Sequence, residues 1–272
     1  MTRRDEKRIL SRREMLTMLG ILGVGGTAVC GASGIVTAYL ALSERDPVEL
    51  VPTATPITLD PIVTIDRPAI TPRADWGALD PNHEAEYEFG SYSQENPEGW
   101  YIYDQPIHEM YQTVLIHHSV VDKNDDVDTL LDIQSFHRED RGWADVAYHY
   151  FVGQSGIIYE GRDVNVRGTH VANFNTGSVG ICLLGNFMNI APTAPQIDSA
   201  RHLTQWLAQE LQLTHLGGHR DFNDGTQCPG DNLFIYLDDF AQSSALERGI
   251  EGYIPPEEEA SLGLCPCCEC QI

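Results

Sequence analysis

Apolar positions along the chain follow three different patterns. Residues 15–42 ("MLTMLGILGVGGTAVCGASGIVTAYLAL") are 28 consecutive uncharged positions. At a rise of ~1.5 Å per residue, such a run is long enough to cross a bilayer core. Residues 43–70 carry five prolines and little helical or alternating period, so they read as an extended tether. From Thr71 onward, short β-branched runs alternate with stretches of helical period. "TVLIHHSV" (113–120) and "SVGICLLG" (178–185) have the profile of buried strands. "YHYFVGQSGIIYEG" (148–161) predicts two strands joined by a turn at Gln154–Gly156. Behind an aspartate cap, "DVDTLLDIQSFHRED" sets Leu130, Ile133, Gln134 and His137 at helical spacing. "PQIDSARHLTQWLAQELQL" (195–213) predicts a second helix, with Ile197, Leu203, Trp206, Leu207 and Leu211 mainly along one side. A third is expected to start near Asp231 and to carry Leu233, Ile235, Leu237 and Phe240. Strands interleaved with helices give an α/β class: a single domain with a central mixed β-sheet flanked by helices, preceded by an N-terminal transmembrane or signal segment. The acidic, aromatic, turn-rich stretch 79–105 fits neither period and is assigned no element.

These patterns divide the chain into a signal or anchor (1–42), a Pro-rich linker (43–70), a folded domain (71–250) and an acidic, Cys-rich tail (251–272). Charge sharpens the division. The formal net charge is −23, yet residues 1–14 hold six basic against three acidic side chains. Beyond Leu42 there are 11 basic and 37 acidic residues, a net of −26. A body so acidic repels a phosphate backbone, which excludes nucleic acid as a partner. The acidity reads as a solvated surface, and the presence of only two lysines, Lys7 and Lys123, hints at a salty or otherwise unusual milieu. Arg12 and Arg13, just ahead of the uncharged run, match the twin-arginine export pattern, and the basic flank keeps the N-terminus inside. The run ends without a clean small-x-small cleavage site, which favours a retained membrane anchor. The expected location is the outer face of the cytoplasmic membrane, or outside the cell if the signal is cleaved. Cys30, preceded by Val29, does not suit lipidation and reads as membrane filler.

The candidate chemistry centres on "LGGHRDFNDGTQCPG" (216–230), where His219 and Cys228 stand nine positions apart. They are two corners of a metal site, a cysteine–histidine nucleophile pair, or two unrelated core residues. "LIHHSV" ends a strand in His117 and His118, which strand periodicity sends to opposite faces, so at most one enters a given site. Two histidines and a cysteine make a sensible zinc shell with a fourth position open for water. The chain has ten histidines, and spacing alone leaves all three readings standing. The tail places Cys265, Cys267, Cys268 and Cys270 within six residues, as a metal-binding or cross-linking cluster would.

Five stretches, in order, carry a specific resemblance: "RADWGA", "VLIHHSV", "IQSFHREDRGWADVAYHYFVGQSGIIYEGR", "GTHVANFNTGSVGICLLGNF" and "GHRDFNDGTQCPGD". Over roughly 170 residues, from Pro72 to about Asp239, the chain resembles the zinc amidase family. That family comprises phage and bacterial N-acetylmuramoyl-L-alanine amidases and the animal peptidoglycan recognition proteins. The resemblance implies zinc held by His117, His219 and Cys228, and so makes Cys228 a ligand rather than a nucleophile. Zinc with one open position lowers the pKa of bound water to ~7, giving a hydroxide nucleophile at neutral pH. Tyr148 matches the tyrosine that separates catalytic members from binding-only ones; its hydroxyl would orient the zinc water or stabilise the oxyanion. Thr226 stands where phage members carry a lysine and recognition proteins often a threonine, and would donate a hydrogen bond without bringing positive charge.

By the same resemblance, His170 and Asn175 match positions lining the substrate groove. Arg167 is a candidate partner for a peptide-stem carboxylate. His118, His149 and His137 read as structural or ligand-supporting, and Asp221 as a hydrogen-bond partner of nearby backbone or ligand. The implied activity is zinc-dependent cleavage of the amide between the lactyl group of N-acetylmuramic acid and the L-alanine of the stem peptide. The alternatives are a non-catalytic peptidoglycan-binding receptor on the same fold and an endopeptidase acting within the stem. The expected partners are peptidoglycan as substrate and the membrane through the N-terminal segment, with the protein a monomer.

Overall fold

The computed structural model describes residues 64–253, except 122, 124 and 252. The expected export segment and the four-cysteine tail lie outside the described residues. Among the described residues, no helix is long and apolar enough to cross a membrane.

One mixed sheet organises these residues. Its strands are β1 (Ile70–Thr71), β2 (Thr113–His118), β3 (Tyr150–Val152), β4 (Ile158–Glu160), β5 (Ser178–Leu183), β6 (His215–Gly218) and β7 (Glu247–Arg248). They lie in the order β1-β4-β3-β5-β2-β6-β7. Only the β3–β4 hairpin is antiparallel; every other neighbouring pair runs parallel. Parallel strands covered on both faces lose their polar positions. Accordingly all six residues of β2 and all six of β5 are buried.

The two faces can be read off β5. Val179, Ile181 and Leu183 join one core with Ile197, Leu203 and Leu207 of α4 (Ala194–Glu210) and Leu237 and Phe240 of α7 (Leu237–Ser243). Cys182 points the other way and packs with Leu130 and Ile133 of α3 (Asp126–Ser135), Tyr148 and Phe151. Burying each aliphatic side chain in such a layer contributes ~1.5–3 kcal/mol. Strand β2 keeps the same alternation. Val114 and Ile116 belong to the first core, which puts His118 on that side, beside Phe187. His117 therefore emerges on the opposite face, its ring centroid 4.9 Å from that of Tyr148.

The helices start where their caps dictate. The Asp125 side chain accepts from the Val127 and Asp128 N–H groups at the head of α3. Thr193 and Gln196 form a capping box at the head of α4. Helix α3 passes directly into a π-helical turn, Phe136–Asp140, which buries His137. The remaining helices are single turns: α1 (Arg73–Trp76), α2 (Ile107–Met110), α5 (His219–Phe222) and α6 (Asp231–Phe234).

The single helix expected from Asp231 onward is broken between α6 and α7, and Ile235 is 72% exposed. At 100° per residue, Ile235 lies about 200° around from Leu233, so it cannot share the buried stripe of Leu233, Leu237 and Phe240. The stretch 79–105 has only isolated bridges, among them Ser91–Trp100 and Ile102–Val166. Polar contacts to the domain hold it in place.

Candidate metal centre

The topology brings three separated residues to one end of the sheet. His117 is the penultimate residue of β2, and Ile116 of β2 pairs with Gly218 of the parallel neighbour β6. His219 follows immediately as the first residue of α5. Both histidines thus sit at the carboxyl ends of adjacent parallel strands, where open α/β sheets bind their ligands. Cys228 returns to the same point on a loop tied to α5 by a 2.9 Å bond from the Arg220 N–H to the Cys228 carbonyl. The Cys228 Sγ accepts from the His118 N–H at 3.4 Å.

His117, His219 and Cys228 are all buried, and their candidate ligand atoms lie within 4.8 Å of one another. Cys228 Sγ stands 3.6 Å from His117 Nδ1. Zinc bonds of ~2.0–2.3 Å place tetrahedral ligand atoms about 3.3–3.8 Å apart, so this pair fits as it stands. His219 supplies the test of fit: both its ring nitrogens are buried and neither has a hydrogen-bond partner. An orphaned buried imidazole of this kind is costly unless something else uses its lone pair. Two imidazoles, one of them such an orphan, and a thiol fit a zinc ion.

Electrostatics agree. Burial, then the neighbouring His219, His170 and His118, holds His117 well below the ordinary imidazole range. Burial and then His118 bring His219 down to about 4. Both rings are therefore neutral at pH 7, the form that ligates metal. Burial pushes the Cys228 thiol up to about 12, only partly offset by the His118 N–H and Arg220. Metal binding at this cysteine must displace a proton.

Above the cluster a cleft is lined by Phe136, His137, Arg141, Trp143, Ala147, Tyr148, Thr169, His170 and His219. The Tyr148 ring lies between those of His117, at 4.9 Å, and His137, at 5.8 Å. His137 Nδ1 accepts from the Ala147 N–H at 3.2 Å, so in the neutral ring Nε2 carries the proton. Phe136, Arg141 and Trp143 were not singled out in the sequence. Phe136 opens the π-helical turn that follows α3, Arg141 caps it, and Trp143 lies two residues further on.

His170 is buried, with Nδ1 3.1 Å from His117 Nε2. Asn175 is half-buried, and its Oδ1 accepts from the His170 and Val171 N–H groups at 2.7 and 2.8 Å. Thr226 Oγ1 accepts from the Cys228 N–H at 3.2 Å, which steadies the ligand loop. Arg167 turns to the 79–105 stretch, donating to the Pro97 and Gly99 carbonyls and stacking on Tyr92 and Tyr101. Asp221 accepts from the Gly218 N–H and pairs with Arg248. His149 lies inside the domain, its Nδ1 accepting from the Gly180 N–H.

Comparison with known proteins gives this arrangement a family. A family model described as N-acetylmuramoyl-L-alanine amidase matches residues 107–231, which include all three clustered side chains and Tyr148. Peptidoglycan-recognition protein SC2 of Drosophila melanogaster is 39% identical over 108 residues, 39% of this chain and 58% of that protein. The chain thus spans a little over half the length of the first curated relatives it matches. Peptidoglycan-recognition protein SD of Drosophila melanogaster is 30% identical over 174 residues, 62% of this chain and 83% of that protein. The Drosophila SD crystal structure matches with a TM-score of 0.50 at 28% identity, covering 62% of this chain and 93% of that one. A structure of tracheal cytotoxin bound to the ectodomain complex of recognition proteins LCa and LCx also reaches 0.50, at 26% identity over 62% of this chain and 94% of that one. The chain belongs to the family of peptidoglycan recognition proteins and N-acetylmuramoyl-L-alanine amidases.

Proposed function

We propose that the protein is a zinc-dependent N-acetylmuramoyl-L-alanine amidase acting on peptidoglycan. The observation that carries this reading is the buried meeting of His117, His219 and Cys228, with both His219 nitrogens lacking a partner. Zinc held by these three residues would supply Lewis-acid activation of a water and of the scissile carbonyl. His117 and His219 offer neutral nitrogens, and Cys228 gives up its thiol proton to become a ligand. Thr226 steadies the Cys228 loop through the 3.2 Å backbone bond. Tyr148, on the cleft wall beside His117, is assigned the support of negative charge developing on the carbonyl oxygen. His137 presents an Nε2–H to an acceptor on the substrate. Hydrolysis breaks the amide C–N bond, leaving a lactyl carboxylate on the sugar and a free amine on L-alanine.

The test is digestion of purified peptidoglycan by the full chain, with the new ends identified by mass spectrometry. The reading expects free stem peptides beginning with L-alanine and uncut sugar chains. It also expects Tyr148→Phe to lower turnover by ~10²-fold while binding persists. New reducing ends would mean a glycosidase, and cuts within the stem an endopeptidase. Tight binding without products would make the chain a receptor.

Export through the twin-arginine route to the outer face of the membrane is part of the same proposal, supported by Arg12 and Arg13 ahead of the uncharged run. Replacing both by lysine should strand the protein in the cytoplasm; a variant that still reaches the envelope would refute that route.

A further inference from the structure

We infer that His170 is the positioning residue for His117: it fixes that ring as the tautomer with hydrogen on Nε2, leaving Nδ1 as the ligand atom. The inference rests on reading His117, His219 and Cys228 as a metal centre, and it goes beyond that reading by naming what holds one ligand in the competent form.

The protons can be counted from the backbone outward. The Ser178 carbonyl lies 3.3 Å from His170 Nε2 and can only accept, so that nitrogen carries the hydrogen. The His170 ring is buried and neutral, which leaves its Nδ1 as an acceptor. His117 Nε2, 3.1 Å away, must then donate to it. The lone pair of His117 is thereby assigned to Nδ1, the nitrogen facing Cys228 Sγ at 3.6 Å.

The opposite end of the ring accommodates that tautomer. Cys228 Sγ already accepts from the His118 N–H. In the metal-free protein its S–H can donate to His117 Nδ1, 3.6 Å away, when that nitrogen holds the lone pair. The chain that starts at the Ser178 carbonyl fixes the tautomer, and the cysteine side accommodates it. Ligating histidines commonly donate their second N–H to a carboxylate, carbonyl or water. Here the acceptor is another imidazole, which is itself oriented by a carbonyl.

The fold holds His170 in that position by leaving out side chains around it. A Cβ on Gly168 would stand 2.5 Å from His170 Cδ2, and one on Gly180 would stand 2.8 Å from it. Gly180 lies within β5, where an apolar β-branched residue would otherwise be expected. Its absence of a side chain admits the His170 ring against the strand. The Asn175 Oδ1 pins the His170 and Val171 N–H groups and fixes the loop on the other side.

Two measurements on the full chain test this. The first is a ¹H–¹⁵N long-range correlation spectrum of metal-free protein with ¹⁵N-labelled histidine, with the His117 signals assigned by their loss in His117→Gln. An Nε2–H tautomer is expected for His117, and an Nδ1–H tautomer would overturn the inference. The second is zinc affinity by competition with a chelator, alongside circular-dichroism melts to verify folding. His170→Ala should weaken zinc binding by ~10–100-fold. His170→Asn, whose Oδ1 can accept in place of Nδ1, should recover most of that loss. Unchanged affinity in folded His170→Ala would overturn the inference. A wild type that binds no zinc yet shows the Nε2–H tautomer supports the assignment to His170 and refutes the metal-centre reading instead.

Discussion

Arg162 and Glu88 meet in a two-pronged ion pair, with nitrogen–oxygen distances of 2.6 and 2.9 Å, against the indole of Trp100. The same carboxylate accepts from the Ala144 N–H and from Thr169 Oγ1, each at 2.8 Å. One buried group in the 79–105 stretch therefore ties that stretch to two segments beside the cleft. Removing one partner of a buried pair leaves the other charge uncompensated, at a cost of ~3–5 kcal/mol. Glu88→Gln should lower stability by about 3 kcal/mol in urea unfolding. A loss below ~1 kcal/mol would mean that the 79–105 stretch is held mainly by its apolar contacts.

Acid should destabilise the protein in two steps. Burial brings His149 down to about 4 and, with Arg162 and Arg141 adding to it, His137 down to about 3. Both lie below the ordinary 6.5, so the neutral rings favour the fold fully above pH 6.5, and that contribution is lost as pH falls toward 4 and 3. Over its range His149 accounts for on the order of 3 kcal/mol and His137 for on the order of 5 kcal/mol. For Glu88, burial pushes the carboxyl up, but the Arg162 charge and the bonds from Arg162, Thr169 and Ala144 outweigh it and hold the group below 4.5. Its contribution is present above pH 4.5 and lost as pH falls through the lower folded value. Urea midpoints measured against pH should show both declines in the wild type and only the first in Glu88→Gln. A flat profile between pH 7 and 5 would contradict the histidine assignment.

Salt should stabilise the protein. The chain beyond Leu42 carries a net charge of −26, whose self-repulsion opposes compaction. Raising NaCl from ~0.1 to ~1 M shortens the Debye length from about 10 to about 3 Å. The melting temperature should rise by several degrees, and a fall would show that salt-sensitive pairs such as Arg201–Asp239 outweigh the repulsion.

Much of this fold is legible in the sequence because it is periodic. The two-residue repeat of β2 predicts that His117 and His118 diverge, and they do, toward Tyr148 and Phe187 respectively. The aspartate at the head of α3 is a cap because its side chain has only local N–H groups to satisfy. The His219–Cys228 spacing allowed three readings, and the pairing of Ile116 with Gly218 is what brings His117 to them. Other features leave no periodic trace. Glu88 and Arg162 are 74 residues apart. Arg167 reads in the sequence as a candidate partner for a stem carboxylate, yet the carbonyls that engage it, Pro97 and Gly99, belong to a stretch without regular elements. The partners of Asn175 are backbone groups of its own loop, which only the folded turn brings together.

The most direct measurement joins metal to chemistry. The full chain is stripped with a chelator, and zinc is returned in steps while the release of L-alanine-ended stem peptides from peptidoglycan is followed. Release should stop in the stripped protein, recover with added zinc and level off at about one zinc per chain. Cys228→Ala should not recover. Undiminished release by the stripped chain would contradict the account.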